Sequence, residues 1–248
     1  ARARNGAGRI RVMTESFITL TGQRGLDLAT GELIAEPQNR VRQIFTNMFA
    51  AAQESGSGIN ETVRLVVYVA DMSRDRIIVN DIQKELLGEG PYPPRTIIEV
   101  DYLGDDFIEI DGTFRLPGET SDALEFLAPA EAFKPTATWS LGVKTDTHVF
   151  VSGMRGINPE NDQLVIGEAP RIRQAFENMQ MIAQAGGAEI TDAISLVLYL
   201  TAEKYLEIFE ALQKNYWGDK MLPPLEINIV TALNDDDIVE IEGTFGLT

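Results

Sequence analysis

Hydrophobic positions along this chain change period several times, and the series of changes occurs twice in the same order. In "RIRVM" (9–13) and "FITLTG" (17–22) apolar and polar residues alternate, the period-two mark of strands with one buried face. Val41, Ile44, Phe45, Met48 and Ala52 then recur every three or four residues, a stripe along one side of a helix. Pro37 suits the first turn of that helix, and "SGSG" (55–58) supplies the backbone freedom that ends it. The β-branched run "TVRLVVYV" (62–69) reads as a buried strand, residues 74–87 as a second helix, and "TIIEVDYL" and "DFIEIDGTF" as two closing strands. The order ββαβαββ predicts an α+β unit, a mixed sheet carrying both helices on one face.

The second half repeats this plan at an offset of 131 residues. "TGQRG" (21–25) falls on "SGMRG" (152–156), "RVRQIFTNM" (40–48) on "RIRQAFENM" (171–179), and "LVVYV" on "LVLYL". The matching helical stripe is Ile172, Ala175, Phe176, Met179 and Ala183, with Pro170 in its first turn and a "GG" pair at its end. A second helix is expected over 203–216. One residue of offset is lost towards "PYPPR" and "MLPPL" and regained by the additional acid of "NDDDIV". The predicted domains are 8–117 and 134–248, joined by an acidic, Pro- and Ala-containing linker at 118–133 with a short helix around 122–127.

The closing strands pose the chemical question. Neighbours on a strand face opposite sides, so Ile108 and Ile110 point together into the core while Glu109 and Asp111 share the other face. "VEIEGTF" (239–245) repeats the arrangement with Glu240 and Glu242. Those acids either meet water as surface charge or line a cleft when units associate by that face.

Composition narrows the chemistry. The chain has 248 residues and no cysteine, which excludes disulfides, thiolate metal sites and a Cys nucleophile and suits a cytoplasmic address. The single His148 leaves little room for a zinc site or a Ser-His-Asp triad, and in "THVFVSG" it reads as a strand-end residue. The expectation is no metal and no cofactor. A formal net charge of −17 repels a polyanion, so no nucleic-acid partner is expected; the one basic cluster, "ARARNGAGRIR", reads as a chain end. No run of about 18 apolar residues exists, so no membrane partner is expected either.

An aromatic-Ser segment, the "TGQ" turn, "PPR" before a strand and the closing "EIE"-type strand together resemble the RidA (YjgF) family, over both units and nearly the whole chain. The resemblance implies chorismate-mutase-like domains assembling as barrel-like trimers with ligand clefts between domains. It also implies cofactor-independent hydrolysis of an enamine or imine of a small carboxylic acid, 2-aminoacrylate-like or 2-aminomuconate-like, giving ammonia and a keto acid. Carried over by position, Arg95 becomes the carboxylate-binding arginine, Glu109 and Glu240 the cleft glutamates, Thr21 and Ser152 the turn hydroxyls, and Trp139 the cleft aromatic. Two positions depart from the family: Leu225 stands where the second unit should have arginine, and Gly8 where the first should have the aromatic.

Each assignment has a plainer alternative. Arg95 can grip a planar carboxylate with its fork of donors, or pair with Glu99 or Asp101. Glu109 can activate water and deliver a proton to a departing nitrogen, or sit solvated. Thr21 can donate to substrate or merely pack, while the amides around Gly22 can serve a developing oxyanion. Arg24 and Arg155, where the family places apolar residues, either pair with nearby acids or add a second cation suited to a dicarboxylate. Tyr68 and Tyr199 are expected in the core. The combined expectation is a competent cleft built on Arg95 and Glu109, with Trp139, Ser152 and Glu240 contributed by the second unit, in a trimer of two-domain chains. The runner-up is a small-acid-binding regulatory or chaperone-like assembly without turnover.

Overall fold

The computed structural model describes residues 10–119 and 121–247 and divides the chain into two units, the first through Ser121 and the second from Asp122. The first consists of β1 (Ile10–Met13), β2 (Phe17–Gln23), α1 (Pro37–Glu54), β3 (Thr62–Val69), α2 (Met72–Leu87), β4 (Arg95–Glu99) and β5 (Ile108–Arg115). Its sheet runs β1-β2-β5-β3-β4, with β3 and β4 parallel and the other pairs antiparallel, the mixed sheet expected.

The helical stripe lands where its spacing puts it. Val41, Ile44, Phe45, Met48 and Ala52 are all at most 1% exposed and pack against Ile108, Ile110 and Phe114 of β5. Burying each large side chain of this kind contributes roughly 1.5–3 kcal/mol. Pro37 opens α1, and Ser55 with the left-handed Gly56 closes it. Asp71 caps α2 by accepting from the Arg74 amide. Register then fixes the faces. Leu65, Val67 and Val69 of β3 belong to the core, so their partners Arg95, Ile97 and Glu99 on β4 share the helix side. Glu109 and Asp111, opposite Tyr68 and Val66, occupy the far side.

The second unit repeats the plan with additions. It comprises β6 (Glu125–Leu127), β7 (Gly142–Lys144), β8 (His148–Met154), a small ribbon of β9 (Ile157–Asn158) and β10 (Gln163–Leu164), α3 (Glu168–Ala185), β11 (Ala193–Leu200), α4 (Leu206–Trp217), β12 (Leu225–Ile229) and β13 (Val239–Gly246). The sheet order β12-β11-β13-β8-β7-β6 matches the first, extended by one strand. That strand corrects the linker expectation: residues 125–127 pair with β7 as β6 instead of forming a helix. Leu127, 4% exposed, joins the second core and rewards the extended conformation. The helix expected over 203–216 is a 3-10 turn at Glu203–Tyr205 running into α4. Each sheet is open rather than a closed barrel.

Candidate functional site

In the first unit β4 is an edge strand, and its first residue, Arg95, turns towards α2. The guanidinium is 5% exposed; its terminal nitrogens donate to the side-chain oxygens of Gln83 and, at 2.9 Å, Asn80. Those two residues lie three apart on α2 and so share a helix face. The ion pair that sequence offered as the plainer reading is not the arrangement of these two bonds: both acceptors are neutral amide oxygens. Glu99, one of the acids considered for it, accepts the Met72 amide at 2.7 Å instead.

Glu109 and Thr21 stand elsewhere. On the far face the Asp111 carboxylate accepts the Gly22 amide at 2.7 Å and the Tyr68 hydroxyl at 3.2 Å, with half-buried Glu109 two residues along the same strand face. The Gly22 amide, expected to be available for an oxyanion, is thus engaged by Asp111. The bulge between Leu20 and Gln23 aims it there, and its φ of 67° favours glycine. Tyr68, expected in the core, is half-buried on this far face with its hydroxyl towards Asp111.

Strand register sets how far apart Arg95 and Glu109 lie within the first unit. Glu109 pairs with Tyr68, which pairs with Ile98, three residues beyond Arg95. Two strand spacings of about 4.8 Å and three rises of about 3.3 Å separate their Cα atoms by roughly 14 Å, and their side chains leave opposite faces. No small acid spans that distance within one unit.

In the second unit the far-face group is more enclosed. Ser152, Tyr199, Glu240 and Glu242 are each at most 5% exposed, and the Tyr199 hydroxyl donates to Glu242 at 3.2 Å. Tyr199, like Tyr68, therefore belongs to the far face rather than the helix-side core. The Ser152 hydroxyl donates to the Ser140 carbonyl. Glu240 lies so close over Gly153 that a Cβ there would stand 2.0 Å from Oε1. Trp139 packs on Phe133, ring centroids 6.1 Å apart, at the margin of the second core. Leu225 takes the register position of Arg95, opposite Leu196, and contributes only packing. Gly8, the first unit's aromatic position, lies outside the described residues.

Arg24 and Arg155 take the plainer of their two readings. Arg24 donates to Asp105 and, at 3.1 Å, to Asp106, which also accepts from Arg40 at 3.0 Å. The hydrogen bond from Arg24 holds the Asp105 carboxyl below its usual range. In the second unit Arg155 donates to the Asn234 carbonyl and to Asp235 at 3.1 Å. Asp237, the counterpart of Asp106, keeps Arg171 only at 3.8 Å, and its Oδ2 is buried without a hydrogen-bond partner. Burial pushes that carboxyl above its usual range, against the pull of Arg155 and Arg171. The additional acid accounts for the difference. It places Asp235 and Asp236 at φ of 57° and 55°, and Arg155 follows Asp235.

His148 opens β8, as expected of a strand-end residue; burial lowers its pKa, and its Nδ1 lies 2.7 Å from the Thr147 hydroxyl. Among the described residues no three His, Asp or Glu side chains gather to hold a metal ion, and no helix is long and apolar enough to cross a membrane.

The family described as Endoribonuclease L-PSP matches this chain twice, at residues 9–114 and 129–245. The chain is a tandem two-domain member of that family, the RidA family. A RutC family protein of Synechocystis is 33% identical over 109 residues, 43% of this chain and 83% of its own length. A Dermatophagoides farinae protein named 2-iminobutanoate/2-iminopropanoate deaminase is 29% identical over 90 residues, 36% of this chain and 69% of its own. The crystal structure of RidA from Psychrobacter is 25% identical, covering 50% of this chain and 98% of that one at a TM-score of 0.48. Within this RidA chain, sequence reasoning missed Gln83, Asn80 and Asp106. The signal for Gln83 was present: the helices α2 and α4 end at Gly88 and Gly218, and five residues before each glycine stands a buried glutamine, Gln83 and Gln213.

Proposed function

We propose that this chain hydrolyses the imine or enamine form of a small carboxylic acid without a cofactor, releasing ammonia and leaving a keto acid. The observation that carries the reading is the seating of Arg95, a buried guanidinium whose two bonds to α2 go to uncharged oxygens. Bonds of that kind fix the plane of the fork, and a fixed guanidinium grips a planar carboxylate through two parallel hydrogen bonds. Two relatives, of D. farinae and of Homo sapiens, supply the reaction class: both are named 2-iminobutanoate/2-iminopropanoate deaminase. In this reading Arg95 holds the substrate carboxylate. A far-face glutamate, Glu109 or Glu240, takes a proton from water as its oxygen adds to the C=N carbon. The same glutamate returns that proton to nitrogen to give the carbinolamine, then takes the hydroxyl proton and passes it to nitrogen as the C–N bond breaks, leaving C=O and ammonia. Thr21, Ser152 and Trp139 border the substrate in this proposal. Because Arg95 and Glu109 diverge within a unit, the reading needs the two groups to come from different units, and a trimer of two-domain chains is proposed to bring them together. Partners other than small acids are not part of it.

Ammonia release from freshly generated 2-iminobutanoate tests the proposal, with Arg95→Ala as the control. Loss of release in the variant supports it; undiminished release by the variant defeats the assignment. The roughly 14 Å separation within a unit favours one second reading, a small-acid-binding regulatory assembly. That reading is selected if 2-oxobutanoate binds through Arg95 while ammonia release stays at the uncatalysed rate. Ribonuclease action is disfavoured by the net charge of −17.

A further inference from the structure

The amide of Gln83 is arranged in a way that core packing does not explain. Gln83 is fully buried on α2, its Oε1 accepts from Arg95, and its Nε2 has no hydrogen-bond partner among the described residues. An unsatisfied buried N–H costs about 1–3 kcal/mol, a cost set in the first unit against the bond that Oε1 accepts from Arg95. What only the amide supplies is a neutral oxygen directed at a guanidinium.

The second unit provides an internal control. Gln213 occupies the matching turn of α4, one turn before the closing Gly218, and is 3% exposed. There Leu225 replaces the arginine, and the Nε2 of Gln213 is likewise without a partner. Trp217, one turn further along α4, also has a buried and unpartnered ring nitrogen. The amide is thus present in both units, but only in the first does its oxygen receive a guanidinium. The cost of burying it is offset in the unit that has Arg95 and not in the unit that lacks it.

We infer that Gln83 is a positioning residue for Arg95, orienting the guanidinium for a carboxylate. The inference rests on the proposed role of Arg95 as the carboxylate grip. A glutamate at position 83 would supply the same geometry but add a negative charge that competes with the ligand. An aliphatic residue would keep the charge and lose the orientation. Both changes should therefore weaken carboxylate binding, by different routes.

The test uses the full chain with 2-oxobutanoate in titration calorimetry and 2-iminobutanoate in steady-state kinetics. Gln83→Leu is expected to weaken 2-oxobutanoate binding about tenfold to a hundredfold, the worth of a hydrogen bond to a charged group. KM should rise while kcat holds, a split that a merely structural glutamine would not give; thermal stability should fall, because a buried guanidinium N–H loses its acceptor. Gln83→Glu is expected to weaken binding at least as much at neutral pH. If both variants bind 2-oxobutanoate like the parent while Arg95→Ala does not, the role of Gln83 is overturned and the Arg95 assignment stands. If Arg95→Ala also binds like the parent, the functional reading itself has failed. Should Gln83→Leu fail to fold, Gln83→Met, which fills the same space without the amide, takes its place with the same expected loss; parent-like binding by it would overturn the inference.

Discussion

The two units share one sheet order and one helical stripe, yet differ at two of the places where charge is buried. At the edge strand the first unit seats Arg95 on amide oxygens, whereas the second places Leu225 at the same register and leaves Gln213 and Trp217 with unpartnered nitrogens. At the turn before the closing strand the first unit ties Arg24 and Arg40 to Asp106, whereas the second sends Arg155 to Asp235 and leaves Asp237 with a weak pair. The two units therefore share the residues that pack the helix on the sheet and differ at the edge-strand arginine and the ion-pair turn. The apolar stripe was copied nearly residue for residue. The arginine was not, and neither was the geometry of the ion-pair turn.

The largest expected effect breaks the comparison at the edge strands. Arg95→Ala should weaken 2-oxobutanoate binding by more than about a hundredfold, on the scale of losing a buried charge-pair partner, whereas Leu225→Ala should leave it within about twofold. Calorimetric titration of both variants checks the contrast. Equal losses would mean that the units are equivalent binders.

Next come the two aspartates. Asp106→Asn breaks a buried pair with two arginines and should cost about 3 kcal/mol in denaturant unfolding. Asp237→Asn should cost less than about 1 kcal/mol, because the carboxylate it removes is incompletely satisfied. The sign of the pH effect follows from burial. The folded protein holds the Asp237 proton more tightly than the unfolded chain does, so this residue's contribution to stability falls as pH rises from the ordinary aspartate range through the raised value. Melting curves at stepped pH should show that decline in the parent and a flatter profile in Asp237→Asn.

The glycine turns give a smaller contrast. Gly153→Ala forces Glu240 from its buried seat and should cost about 2 kcal/mol, as overpacking does. Gly22→Ala meets a φ of 67°, which in an alanine costs about 1–2 kcal/mol. Thermal melts of both variants rank them. Smallest of all, Tyr68→Phe and Tyr199→Phe each remove one hydroxyl bond to an acid; the enclosed Tyr199 should lose more, about 1.5 kcal/mol against about 0.5 kcal/mol for half-buried Tyr68.

Much of the fold was legible because it rests on local periodicity. The stripe from Val41 to Ala52 and the inward pair Ile108 and Ile110 need only their own spacing to be assigned a face. The linker was misread because residues 125–127 take their conformation from β7, which lies outside the window that suggested a helix. Tyr68 was misread because side-chain size says nothing about which face of β3 is which; Tyr199 is buried as expected, 1% exposed, on the corresponding face of β11.

The candidate site was legible as residue types and not as an arrangement. Sequence by itself determined the duplication, the element order, the membership of Arg95 and Leu225 in equivalent positions and the absence of cysteine chemistry. These depend on spacing and composition alone. Only the tertiary structure decided that Arg95 shares a face with α2 and not with Glu109, that Arg24 belongs to Asp105 and Asp106, and that one inserted acid leaves Asp237 poorly paired. Strand register and contacts between residues some eighty positions apart set those outcomes, and neither is written in the local pattern of a chain.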